Sequence, residues 1–202
     1  EADLALRPLA SGEPAYLQYT SGSTQFPRGV EITQDALLAN LRDIARHGLK
    51  IDSRDRMTTW LPFYHDMGLV GFVLLPLICQ LSTDYISPRS FAMRPRLWLK
   101  LLSDNGGTIA SSPPFGYALC AKRIRVSGSE SFDLSRWRAA CVGAERIQPE
   151  PLREFARALE PAGFNPRSFV ACYGMAECAL AISFEQLGSG LVVDVVKKNA
   201  ML

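Results

Sequence analysis

The stretch Tyr19–Val30, YTSGSTQFPRGV, decides how the rest of the chain is read. Thr20, Ser21, Gly22, Ser23 and Thr24 are consecutive small residues, followed by the cation Arg28 and by Gly29. Such a run offers backbone N–H groups free to turn inward and hydroxyls that donate hydrogen bonds, and its glycine lets the main chain approach an anion with no Cβ in the way. It reads as a phosphate-holding loop with Arg28 as its fixed charge. The flanking segments 15–19 and 29–33 both read as extended, so on composition alone an ordinary polar hairpin turn is the alternative. The P-loop of nucleotide kinases and GTPases is excluded, because no Gly-Lys-Ser/Thr closes the run and Val30–Thr33 reads as strand rather than helix.

Outward from this loop the pattern alternates. Helices are expected over 34–47, 66–81, 94–102, 114–126 and 149–159. Strands are expected over 57–60, 83–86, 108–110, 139–142 and 168–172, with a final strand-like run over 191–196. Such alternation argues for an α/β fold, a layered, mostly parallel sheet flanked by helices. The strings WLPFYHDMGL (Trp60–Leu69), VGAE (Val142–Glu145) and YGMAE (Tyr173–Glu177) each sit at or just beyond the end of an expected strand. In open α/β sheets ligands collect there, so one shared site is expected.

With 48% hydrophobic residues in 202, the chain can bury a core, as one domain or a piece of a larger one. Its net charge of +2 comes from scattered basic residues, and no nucleic-acid footprint emerges. Five cysteines, without CxxC spacing and in apolar company, point to reduced, buried thiols and a cytoplasmic setting. The apolar run 67–79 is broken by Gly71 and Pro76 and falls short of the roughly 20 residues a membrane span needs. His47 and His65 have no metal-site spacing, and no GxSxG elbow marks a hydrolase.

YTSGSTQFPRGV, WLPFYHDMGL, VGAE and YGMAE, in this order, resemble the signature segments of the adenylate-forming superfamily. That superfamily includes acyl-CoA synthetases, luciferases and peptide-synthetase adenylation domains, which join a carboxylate to AMP. Within it the HDMGL form, Ala176 where most relatives carry Thr, and SPPFGYALCAKRI (Ser112–Ile124) resemble the fatty acyl-AMP ligase branch. The resemblance implies that residues 1–202 are part of the large N-terminal AMP-binding domain, that a smaller lysine-bearing C-terminal domain is absent from this chain, and that the isolated fragment is nearly inactive. The absence of an initiator methionine at Glu1 fits an excised piece. The implied reaction activates a fatty acid with ATP and Mg²⁺ to acyl-AMP and pyrophosphate, then transfers the acyl group to the thiol of an acyl carrier protein. A fatty acyl-CoA synthetase and a catalytically silent adenylate-binding module are the alternatives.

By the same resemblance Thr20 to Thr24 grip the β- and γ-phosphates, and Arg28 stands where most relatives carry Lys; a solvated surface arginine is the plain reading of the residue alone. Gly143, Ala144 and Glu145 line the adenine, and Tyr173, Gly174, Met175 and Ala176 continue that surface, although an isolated tyrosine after a strand more often packs at an edge. Glu177 is the implied Mg²⁺ ligand; on its own it would read as a carboxylate favoured at a helix start. His65 sits by resemblance beside the α-phosphate and the acyl carboxylate, with Asp66, Met67 and Gly68 on the substrate side. Taken alone, Asp66 reads as the N-cap of the apolar helix after it.

Overall fold

Two four-residue strands buried along their whole length, β5 (Ile109–Ser112) and β6 (Ala139–Val142), form the centre of the protein. Strands covered on both faces belong to a parallel sheet enclosed by helices. In the computed structural model, which describes residues 8–20, 26–128 and 132–196, they lie in a six-stranded sheet with β3 (Arg56–Thr59), β4 (Ser82–Tyr85), β7 (Phe169–Gly174) and β8 (Ala181–Phe184). The order is β4-β3-β5-β6-β7-β8, parallel up to β7 and antiparallel at β8. The expected α/β class holds. The order reverses at β3, which places a topological switch point beside the end of that strand.

A separate antiparallel hairpin, β1 (Pro14–Thr20) and β2 (Arg28–Thr33), precedes the sheet. Thr20 pairs with Arg28, so the small-residue run joins the two strands of a hairpin. Ser21, Gly22, Ser23 and Thr24 lie outside the described residues. The loop therefore leaves a hairpin of its own rather than a strand of the main sheet.

The helices divide between the two faces of the sheet. On one side lie α1 (Gln34–Asp43), continued by a π-helical turn Ile44–Gly48, and α2 (Asp66–Leu69), which runs through a second π turn, Val70–Leu74, into α3 (Leu75–Cys79). On the other lie α5 (Arg96–Asn105), α6 (Pro114–Ser127) and α7 (Pro149–Leu159), with a short α4 (Pro88–Met93) leading into α5. Right-handed crossovers require this division, since β3 connects to β4 in one direction and β4 through β7 advance in the other. The α5–α7 side is packed solid: Trp98, Tyr117, Trp137, Phe155, Phe164 and Phe169 are each at most 2% exposed.

Two expectations need correction. Residues 191–196 form no strand, and Val195 is 89% exposed; a β-prone run without a partner edge gains nothing from its propensity. The last strand is instead β8, reached through Ala179 at φ +64, a γ-turn in which Leu180 N–H bonds to the Cys178 carbonyl at 2.8 Å. The expected uniform burial of the thiols fails at Cys178, which is exposed; Cys120 and Cys141 are buried, Cys79 and Cys172 partly so.

Candidate functional site

The segments that follow β3, β6 and β7 converge, with the end of β1, on a cavity of 410 Å³. Its floor is the cavity-side face of the sheet: Met57, Ile109, Ser111, Cys141 and Cys172, drawn from β3, β5, β6 and β7. Its far wall is apolar, built by Ile44 and Leu49 after α1, Phe72 and Leu75 around the second π turn, and Phe184 on β8. Each π turn inserts one residue into a helix, and both contribute to this wall. The mouth is polar, formed by Thr20, Gln18, His65, Asp66 and the backbone of Gly143 and Gly174.

Among the predicted residues, Thr20, His65, Asp66, Met67, Gly143, Ala144, Tyr173, Gly174 and Ala176 line this cavity. Gly68 is buried just behind it, where any Cβ would run into the Pro62 carbonyl. Arg28 and Glu177 are exposed at the rim, outside the lining, and so is Met175. Glu145 turns outward and its Oε1 accepts a hydrogen bond from the Phe115 N–H at 3.0 Å. The apolar wall and the floor were not singled out residue by residue in the sequence, because residues facing a cavity carry the same apolar pattern as residues facing a core.

At the mouth, His65 rather than Asp66 occupies the N-cap of α2, in extended conformation, which corrects the sequence reading. Asp66 Oδ1 accepts from the Met67 N–H at 2.7 Å and lies 2.7 Å from His65 Nδ1. This carboxylate contact raises the His65 pKa above the ordinary imidazole value, against a smaller opposing effect of burial. Burial, with help from the Asp66 charge, pushes the Tyr16 phenol up to about 12, and its hydroxyl is buried without a partner among the described residues. Gln18 ties the hairpin to this loop by donating from Nε2 to the Tyr64 carbonyl at 3.2 Å. The thiol of Cys172 is held well above its ordinary pKa by its hydrogen bond with Cys141 and by burial, so it lies in the floor as an un-ionised group.

Ala144 adopts φ +66, a left-handed conformation that costs a non-glycine residue of order 1 kcal/mol. Gly143 lies so close to β7 that an added Cβ would stand 2.7 Å from the Cys172 carbonyl. Both features bring bare backbone to the cavity surface, where a flat ring can lie against it. No cluster of three metal-ligating side chains occurs among the described residues. A divalent ion at Glu177 would complete its shell with phosphate oxygens and water, the coordination Mg²⁺ favours.

The AMP-binding enzyme family profile matches residues 2–197. The chain belongs to this family. Among its relatives, a Caulobacter vibrioides protein provisionally named an acyl-CoA synthetase is 48% identical over 95% of this chain and 33% of its own length. The medium-chain-fatty-acid–[acyl-carrier-protein] ligase TtuA of Teredinibacter turnerae is 41% identical over 84% of the chain and 26% of its own length. A solved structure from work on fatty acyl-adenylate ligases of E. coli and L. pneumophila superposes with a TM-score of 0.90 at 53% identity, covering 95% of this chain and 35% of that one. The chain thus spans about a third of the length of the AMP-binding enzymes it matches, and its sheet has the fold of their N-terminal domain. No helix among the described residues is long and apolar enough to cross a membrane.

Proposed function

We propose that the full-length protein is a fatty acyl-AMP ligase, with residues 1–202 forming part of its N-terminal adenylation domain and a lysine-bearing C-terminal domain lying elsewhere in the protein. One observation carries this reading: the cavity is polar where the strands end and apolar in its depth, which suits a molecule with a nucleotide at one end and an alkyl chain at the other. A fatty carboxylate oxygen attacks the α-phosphorus of ATP, the bond to the β-phosphate breaks, and pyrophosphate leaves. A carrier-protein thiol then attacks the acyl carbonyl and expels AMP. TtuA, named as an acyl-carrier-protein ligase, supports the second step.

In this reading Thr20 to Thr24 and Arg28 hold the departing phosphates, Gly143, Ala144 and Tyr173 hold adenine, and His65, kept in place by Asp66, stands between the phosphate and the acyl carboxylate. Glu177 would hold Mg²⁺, which neutralises charge on the phosphates when bound. Positioning and fixed charge carry most of such a reaction. The unpaired thiols fit a reducing, cytoplasmic compartment. A fatty acyl-CoA synthetase remains the second reading, favoured by the name of the Caulobacter relative.

The test is product analysis of the full-length protein given ATP, Mg²⁺ and medium- or long-chain fatty acids, with free coenzyme A or a phosphopantetheinylated carrier as acceptor. Acyl-AMP that reaches the carrier but reaches coenzyme A poorly is expected. Rapid acyl-CoA formation moves the assignment to the second reading, and no adenylate with any carboxylate overturns both.

A further inference from the structure

Helix α6 begins in a way that leaves it one donor short of a partner. Its cap position is Pro113 and its first residue Pro114, so neither has an N–H to satisfy, and Pro113 has no side-chain oxygen with which to cap. Ser112, the nearest hydroxyl upstream, spends its proton on the Pro113 carbonyl at 2.8 Å. The Gly116 N–H is satisfied by that same carbonyl at 3.0 Å. The Phe115 N–H is left, and it is taken by Glu145 from thirty residues further along the chain, with the carboxylate at the positive end of the helix.

Glu145 immediately follows Gly143, pressed against β7, and Ala144, held at positive φ, both of which line the cavity. The three residues are therefore fixed from both directions: Gly143 by β7, Glu145 by α6, with the strained Ala144 between them. Beyond Glu145 the chain is next anchored by Ile147, which packs against the core, and by the start of α7 at Pro149, so the Glu145 bond is the contact that bears on Ala144 itself.

We infer that Glu145 is a positioning residue for the nucleotide: its carboxylate pins the Gly143–Ala144 backbone to the start of α6, so the surface that receives the base is in place before the nucleotide arrives. This rests on the reading of Gly143 to Glu145 as the adenine-lining segment and changes the part Glu145 plays in it, from touching the base to holding the residues that do.

The experiment uses full-length protein with Glu145→Ala and Glu145→Gln, assayed by pyrophosphate release with ATP and with inosine triphosphate, which lacks the exocyclic amino group. Loss of a helix-capping bond of this kind corresponds to a five- to tenfold change, so Glu145→Ala is expected to raise KM by roughly that factor for either nucleotide relative to wild type, leaving the fatty-acid KM within about twofold. Glu145→Gln, whose carbonyl oxygen can accept the same bond, should recover most of the loss. A loss confined to ATP would overturn the inference by showing that the carboxylate reads the amino group directly. Equal losses in the Ala and Gln variants, a fatty-acid KM that rises in step with a falling Tm, or no change at all would overturn it too. A wild type that turns over neither nucleotide would sink the adenylation reading and this inference with it, whereas an active wild type with an indifferent Glu145→Ala sinks this inference alone.

Discussion

The two faces of the central sheet are built from the same short strands and have opposite interiors. On the α5–α7 side, six aromatic rings meet edge to face, tilted or stacked with centroids 5.0–6.3 Å apart. Their polar tips are paired: Tyr117 donates to the Cys141 carbonyl at 2.8 Å and the Trp137 indole to the Ala139 carbonyl at 3.0 Å. On the α1–α3 side, Met57, Ile109 and Cys172 face a void walled by two helices that each carry a π turn. One face fills its volume and stabilises the domain; the other withholds side chains and leaves room for a ligand. A sheet that must bury one face firmly can leave the other hollow, and the aromatic side offsets what the hollow side forgoes in contacts.

The sharpest way to break this comparison is to truncate a residue on each face. In the full-length protein Trp137→Ala should cost about 3–5 kcal/mol of unfolding free energy, the range for a fully buried large aromatic. Met67→Ala, whose side chain already borders the void, should cost less than half of that, because its atoms have fewer partners to lose. Urea unfolding measures both, and equal losses would mean that the faces do not differ in packing.

The rim should respond in activity rather than stability. Glu177→Gln is expected to lower acyl-AMP formation by about 100-fold, the effect of removing one preorganised charge partner of a transition state, while the unfolding free energy moves by no more than about 0.5 kcal/mol. Unchanged turnover over a Mg²⁺ titration would remove Glu177 from the metal site.

Filling the hollow face should discriminate by chain length. A Cβ on Gly71 would meet only Leu180 Cδ2, at 3.4 Å, so a larger side chain can enter the void. Gly71→Phe should raise KM for long-chain acids about tenfold and leave the shortest usable acids nearly unaffected, since misfit of a few methylenes is worth one to two orders of magnitude. Parallel losses for every chain length would mean that the alkyl chain lies elsewhere.

The smallest effect concerns His65. Its pKa is raised by Asp66, so the pair adds stability that is fully present below the unfolded imidazole value near 6.5 and fades as pH rises through the higher folded value. The side chain is 49% exposed, so the contribution is at most about 1 kcal/mol. His65→Gln should narrow its stability deficit between pH 6 and pH 9; a deficit that widens with pH would contradict the His65–Asp66 pairing.

The layered fold and most of the mouth were legible because glycines, small hydroxyls and strand-end motifs leave a sequence signature. The connection from β7 to β8 was not. It turns on Ala179 at φ +64, and an alanine in a strained γ-turn looks like any other alanine in the run Cys178–Phe184. The π turns were equally silent, because one inserted residue in an apolar helix leaves the hydrophobic pattern nearly intact. Glu145 was legible as part of a motif, but its partner is Phe115, and a contact across thirty residues is written in the fold alone.

The central claim is that the hollow face receives the alkyl chain of an acyl-adenylate whose nucleotide end rests on Gly143, Ala144 and Tyr173. A crystal structure of the full-length protein with a non-hydrolysable fatty acyl-adenylate analogue tests it most directly. The account predicts the chain between Phe72, Ile109 and Phe184, with adenine against the Gly143–Ala144 backbone. An alkyl chain bound outside the α1–α3 face, with these residues closed over an empty cavity, would contradict it.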